Sequence, residues 1–162
     1  MNYYDAISNS YNELHGEEQV KKAKVILEHL AVKKDDKLLD VGCGTGIAAV
    51  LFDCEKVGID PSAELAKQCP FKAIVGRAEE LPFPDKSFDI VISLTAIHHC
   101  DIDKALAEIK RVAKRDVVIT VLKKSKSKKD IVGKIKKMFT IVKESEEEKD
   151  IILIGQVGKQ DL

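Results

Sequence analysis

No tryptophan, no CxxC pair and no apolar run near the ~20 residues of a membrane span occur in this sequence, and its formal net charge is zero. Aromatic residues make up 5% of the chain and there are only four prolines, none of them gathered into a linker. The four cysteines, Cys43, Cys54, Cys69 and Cys100, are scattered, which argues against a zinc site or a disulfide framework and for reduced structural thiols. Composition excludes disorder as well, because 44% hydrophobic and 33% charged residues are ordinary for a globular chain. The start, Met1-Asn2-Tyr3-Tyr4-Asp5, has neither the basic patch nor the apolar core of a secretion signal, so a cytoplasmic protein is expected. No internal repeat or composition break divides the 162 residues, which predicts one domain over 1–162.

The zero net charge hides an uneven distribution. Residues 1–122 carry 16 basic and 20 acidic side chains, whereas 123–137 holds eight lysines against Asp130. This basic segment, 123–138, can attract RNA or an acidic partner. Against that, Ile131, Val132, Ile135 and Met138 have the spacing of an amphipathic helix whose lysines face water, and no aromatic residue interleaves them to stack on bases.

Hydrophobic periodicity alternates between helical and extended. Val20, Ala23, Ile26, Leu27 and Leu30 predict a helix over Glu17–Ala31. Short apolar runs predict strands at Lys37–Val41, Lys56–Asp60, Lys72–Val75, Phe88–Leu94 and Asp116–Leu122. Helices are expected at Thr45–Phe52, from a Ser62 cap to about Cys69, and from an Asp101 cap along Ile102, Ala105, Leu106, Ile109, Val112 and Ala113. Pro82 and Pro84 make Leu81–Lys86 a loop. Five strands joined by crossovers imply a doubly wound parallel sheet, and two further extended runs, Phe139–Val142 and Ile151–Val157, lie too close for a helix and form an antiparallel hairpin. The expected fold is a Rossmann-like, mostly parallel seven-stranded α/β sheet with helices on both faces.

The segment Asp40-Val41-Gly42-Cys43-Gly44-Thr45-Gly46 falls at the carboxyl end of the first strand, where open parallel sheets bind ligands. Its glycines leave the backbone and the following N–H groups open to a ligand. A nicotinamide fingerprint needs its third glycine at position 47, which is Ile47. Asp60 ends the second strand, where an ionised carboxylate can accept from both hydroxyls of a ribose; the bland alternative is an aspartate capping the turn before Pro61.

With Leu38-Leu39-Asp40 in front, this loop resembles the E/DxGxGxG motif of class I S-adenosylmethionine-dependent methyltransferases. Gly76-Arg77-Ala78-Glu79-Glu80-Leu81-Pro82-Phe83-Pro84-Asp85 and Phe88-Asp89-Ile90-Val91 extend the likeness to the subgroup of ubiquinone and menaquinone biosynthesis methyltransferases. The resemblance implies S-adenosyl-L-methionine as cofactor, S-adenosyl-L-homocysteine as product, and Asp40, Gly42, Cys43, Gly44 and Gly46 at the amino-acid end of the site. It also implies Asp60 and Pro61 at the ribose, Arg77, Ala78 and Glu79 at the adenine, and Ser93 beside the cofactor. Two positions depart from the pattern: Arg77, which has no acceptor, stands where an acid usually meets the adenine amino group, and Lys114-Arg115-Asp116 replaces a Pro-Gly-Gly turn.

Ser93-Leu94-Thr95-Ala96-Ile97-His98-His99-Cys100 follows the fourth strand, where the family places side chains facing the methyl group. His98 or His99 can act as general base, or the pair can simply open a helical turn; no partner ligands suggest a metal. Tyr3, Tyr4 and Tyr11, within residues 1–16, fit either a lid over the cofactor or a packed N-terminal helix. The resulting expectation is a methyltransferase with an unidentified acceptor. Its alternative is a module that holds the cofactor without transferring a methyl group, as the partner of an active subunit; a homodimer is a further way to complete the site.

Overall fold

The computed structural model describes residues 11–158, with side chains from residue 15 onward. Tyr3 and Tyr4 lie outside the described residues, and with them the lid expected at the N-terminus. Seven strands form one sheet in the order β3-β2-β1-β4-β5-β7-β6. They are β1 (Lys37–Val41), β2 (Glu55–Asp60), β3 (Lys72–Val75), β4 (Phe88–Leu94), β5 (Ala113–Leu122), β6 (Thr140–Glu146) and β7 (Asp150–Gln156). Strands β1 to β5 pair in parallel, and β7 slots antiparallel between β5 and β6. The expected α/β architecture is therefore the observed one, terminal hairpin included.

Four α-helices accompany the sheet among the described residues: α1 (Tyr11–Leu27), α2 (Ala63–Ala66), α3 (Ile102–Val112) and α4 (Lys128–Met138). Successive strand residues point to opposite faces, and the core divides accordingly. Leu39, Val91, Val117 and Leu153 pack with Leu106, Ile109, Ile131 and Ile135, under α3 and α4. Their neighbours Leu38, Ile90, Ile92, Val118 and Ile152 pack on the other side with Ala23 and Ile26 of α1 and with Phe52. Strands buried on both faces are why the centres of β4 (Ile90, Val91, Ile92) and β5 (Val117, Val118, Ile119) read as continuous apolar runs.

The structure corrects several boundaries. Thr45–Phe52 is not a helix; only Ala49–Leu51 forms a 3-10 turn, with Leu51 N–H donating to Ala48 O at 3.1 Å and Phe52 N–H to Ala49 O at 3.0 Å. Gly46, at φ 79°, cannot sit in a right-handed helix, and β2 begins at Glu55, so too few residues remain. Helix α1 ends at Leu27 rather than Ala31: Glu28 and His29 tighten into i→i+3 bonds, and Leu30 enters the core beyond the helix. Helix α2 stops at Ala66 rather than near Cys69. Strand β5 starts three residues early because Ala113 already pairs with Phe88, so α3 runs directly into it. Glu144 and Glu146, expected in the polar hairpin turn, belong with Lys143 to β6, an edge strand where charge blocks further pairing.

Asp101 caps α3 through Lys104 N–H as expected. From α3, the Arg111 guanidinium donates to Leu81 O and Phe83 O and pairs with Asp85, which fixes the two-proline loop. The lysines of 123–138 are partly neutralised on the surface: Lys123 pairs with Glu146, Lys134 with Asp103 and Asp130, and Lys136 with Glu144. Among the described residues, no helix is long and apolar enough to cross a membrane.

Candidate active site

The carboxyl ends of β1, β2 and β4 open onto a cavity of about 850 Å³, within the 300–1,000 Å³ of small-molecule sites. The glycine loop forms its floor. Gly42 N–H and Cys43 N–H both donate to Ile59 O, at 2.8 and 3.1 Å, folding the loop over the end of β2. Gly42 has φ 78°, and a Cβ there would lie 2.5 Å from Ala96 Cβ, so the loop after β1 touches the loop after β4 without room for a side chain.

Asp60, 7% exposed, joins two segments of the wall. Its Oδ2 accepts from Gly44 N–H and its Oδ1 from Ser62 N–H, each at 2.9 Å. The capping role and the cavity position therefore coexist. Pro61 and Leu65 continue this wall, followed by Arg77, Ala78 and Glu79. The Arg77 side chain is largely exposed and pairs with Glu79, which also accepts from Asp101 N–H.

At the end of β4, Ser93 is 1% exposed and its buried Oγ has no hydrogen-bond partner among the described residues. Thr95 follows with φ 57°, a conformation that β-branched residues rarely adopt. His98 lines the cavity and its buried Nδ1 has no hydrogen-bond partner among the described residues; burial, reinforced by His99, holds its pKa below the ordinary value. The two imidazoles lie 4.4 Å apart between ring centroids, and His99 is the exposed one.

Not every expected site residue reaches the cavity wall. Asp40 is buried in β1, where desolvation, with Cys69 and Asp60 nearby, pushes its carboxyl well above the ordinary range. Cys43 turns beneath the loop: its free thiol hydrogen-bonds with the Cys69 thiol and contacts Gly44 O at 3.6 Å. That thiol–thiol bond and burial raise Cys43, while the same bond lowers Cys69 to about 7. Gly46 is enclosed as well, since a Cβ there would meet Cys69 Sγ at 2.7 Å.

The opposite wall was missed from sequence. Helix α1 contributes His15, Glu18, Gln19 and Lys22, and the far side of the sheet contributes Leu122, Lys149 and Asp150. Lys22 forms a buried ion pair with Asp150, and Glu18 pairs with Lys149. The one local signal was Lys22 itself, a charge beside Ala23 and four residues before Ile26 on the apolar side of α1. Among the described residues, no group of three or more His, Cys, Asp or Glu is placed to hold a metal ion.

Comparison with known proteins gives a consistent picture. The methyltransferase domain family model matches residues 39–121. An uncharacterized Methanocaldococcus jannaschii protein, MJ1252, is 38% identical over 119 residues, covering 70% of this chain and 47% of its own length. A demethylmenaquinone methyltransferase from Lysinibacillus sphaericus is 31% identical over 143 residues, covering 76% of this chain and 61% of its own. The chain thus spans about half the length of the curated relatives it matches. Among solved structures, the methyltransferase in a complex with the Haloferax volcanii Trm112 methyltransferase activator superposes with TM-score 0.85 at 16% identity, over 97% of this chain and 98% of that one.

Proposed function

The chain belongs to the class I S-adenosylmethionine-dependent methyltransferases, and from that premise we propose that it transfers the methyl group of S-adenosyl-L-methionine to an acceptor bound in the same cavity. The observation that carries this reading is the joining of the glycine loop to Asp60 at one end of a cavity whose other end is walled by His98, Lys22 and Asp150.

The residues present fit the cofactor. An 850 Å³ cavity exceeds what one nucleoside-sized ligand needs and leaves space for an acceptor. Ser93 Oγ is a buried hydroxyl on its wall that no described residue satisfies, the kind of group a ligand satisfies. Gly42 and Gly44 would lie against the amino-acid end, Asp60 and Pro61 against the ribose, and Ala78 and Glu79 against the adenine. Asp60 accepts from Gly44 N–H and Ser62 N–H on this wall, and a carboxylate oxygen can accept more than one hydrogen bond. Arg77 offers a guanidinium face rather than an acceptor. Asp40, Cys43 and Gly46 are buried and support the loop from beneath it.

When bound, the cofactor supplies a sulfonium-activated methyl group, so the chain's own task is to orient the acceptor and exclude water. His98, kept neutral by burial, is better placed than exposed His99 to take an acceptor proton. Residues 1–162 act in this reading as one domain in the cytoplasm. The activator-bound neighbour from Haloferax volcanii supports completion of the site by a partner subunit.

Calorimetric titration with S-adenosylmethionine, S-adenosylhomocysteine and NAD tests the proposal. Binding of the two sulfur ligands and not NAD is expected; binding of neither sulfur ligand would refute it. Incubation with labelled cofactor and a fractionated cell extract then identifies the acceptor as small molecule, RNA or protein. Label in no fraction would favour the non-catalytic module.

A further inference from the structure

The acceptor end of the cavity contains an arrangement that fold stability does not explain. Lys22 is 2% exposed and Asp150 0%, yet they face each other as an ion pair between α1 and the start of β7. Taking two charges out of water costs more than their attraction usually returns, so such a pair is poor evidence of a purely structural device. Thr95 joins them: its Oγ1 donates to Asp150 Oδ2 at 2.7 Å and accepts from Lys22. Its own N–H donates to Thr120 Oγ1 at 2.7 Å, which helps to hold the backbone at φ 57°. Strain of this kind in a β-branched residue persists only where its surroundings overdetermine it, and it gathers at functional sites.

Although Lys22 and Thr95 both bond the Asp150 carboxylate through Oδ2, its Oδ1 has no hydrogen-bond partner among the described residues. Lys22, Thr95, His98 and Asp150 all line the cavity. The charges there cancel in pairs, Lys22 with Asp150 and Glu18 with Lys149. This end therefore offers neither an excess cation for an anionic acceptor nor an excess anion for an ammonium. It offers one fixed, unsatisfied carboxylate oxygen.

We propose that this cluster is the acceptor-recognition site, in which Asp150 Oδ1 accepts a hydrogen bond from a neutral donor on the acceptor, a hydroxyl or an amide N–H. Lys22 and Thr95 are positioning residues that hold the carboxylate. The assignment rests on the methyltransferase reading, which places the acceptor at this end.

The test uses the full chain saturated with S-adenosylhomocysteine and follows backbone amide shifts by NMR during titration with phenol, benzoate or benzylamine. Phenol should shift the amides of Thr95 and Asp150 and bind more tightly than either charged probe. In the paired variant Lys22→Met with Asp150→Leu, which removes both charges together, phenol affinity should fall at least tenfold while S-adenosylhomocysteine affinity stays within twofold. Should that variant not fold, Thr95→Gly relieves the positive φ and removes the orienting hydroxyl together with its methyl group, leaving both charges in place; it should weaken phenol at least threefold with the nucleoside unaffected. Equal phenol binding by either folded variant, or tighter binding of benzoate or benzylamine, overturns the proposal. S-adenosylhomocysteine binding without any phenol shift overturns it alone, whereas no S-adenosylhomocysteine binding by the unaltered chain overturns the methyltransferase reading with it.

Discussion

Asp60 carries two separable roles, and replacing it by alanine should expose both. Its oxygens accept from Gly44 N–H and Ser62 N–H at 2.9 Å, and Gly44 and Ser62 are themselves buried. Truncation leaves two amides without an acceptor, and each unsatisfied buried donor costs about 1–3 kcal/mol. Water entering from the cavity can reach Gly44 more easily than Ser62, which is 0% exposed. The unliganded variant should therefore lose about 2–4 kcal/mol of stability.

Ligand binding adds a second, independent measurement. At a free S-adenosylhomocysteine concentration one hundredfold above Kd, the unaltered protein should gain about 2.7 kcal/mol against urea. Loss of the bonds from Asp60 to the ribose should weaken binding by about 1–3 kcal/mol, or roughly thirtyfold at the centre of that range. At the same ligand concentration the variant's gain then shrinks to about 0.9 kcal/mol. Urea denaturation with and without ligand gives both numbers from one protein preparation. A variant that loses stability but keeps the full ligand-induced gain would put the ribose elsewhere and reduce Asp60 to a cap. Unchanged stability without ligand would refute the loop-tethering role instead.

Gly42→Ala forces a Cβ to 2.5 Å from Ala96 Cβ at φ 78°, so it should cost about 1–3 kcal/mol and weaken S-adenosylhomocysteine binding, read by thermal denaturation and calorimetry; a neutral result would mean the two loops separate freely. Burial raises the Asp40 carboxyl, so its contribution is present in acid and lost as pH rises through the folded pKa; Asp40→Asn should be more stable than the unaltered chain at pH ~8 yet bind cofactor less tightly. For His98 the folded pKa is lowered, so its contribution is complete above the unfolded value near 6.5 and lost as pH falls below it. The urea midpoint should fall more steeply between about pH 7.5 and 5 than in His98→Phe, and equal slopes would contradict the burial argument. Cys69, lowered to about 7 by the Cys43 thiol, should react with iodoacetamide at neutral pH well before Cys100, which burial raises to about 11; mass spectrometry of the labelled peptides gives the order.

How much of this was legible in the sequence depended on whether its cause was local. Strand β4 could be placed to the residue because both its faces are buried and the sequence Phe-Asp-Ile-Val-Ile-Ser-Leu has no other use for so many apolar side chains. Asp101 announced α3 because a cap is a contact between residues three apart. The glycine loop and Asp60 were legible for the same reason, each being a motif at a strand end. The helix expected at Thr45–Phe52 failed on a single backbone angle: Gly46 supplies a positive φ, and composition shows that glycine can adopt it, not that it does. Thr95 is the harder case, since nothing about a threonine signals φ 57°; the conformation is imposed by Thr120 and Asp150, which come from other strands.

The wall formed by α1 and the hairpin lay beyond reach for a related reason. Hydrophobic periodicity reports which face of a helix is buried but not what buries it. The periodicity therefore does not single out Lys22, although its place beside Ala23 and before Ile26 puts it on the covered side of α1. Its partner, Asp150, read as the end of an acidic turn rather than the first residue of β7, because pairing with Leu122 across the sheet has no local signature. A charge on the buried face of an amphipathic helix implies a partner from elsewhere in the fold or a ligand. In this chain both halves of that inference apply, since Asp150 satisfies Lys22 and is left with an oxygen that no residue among those described satisfies in turn.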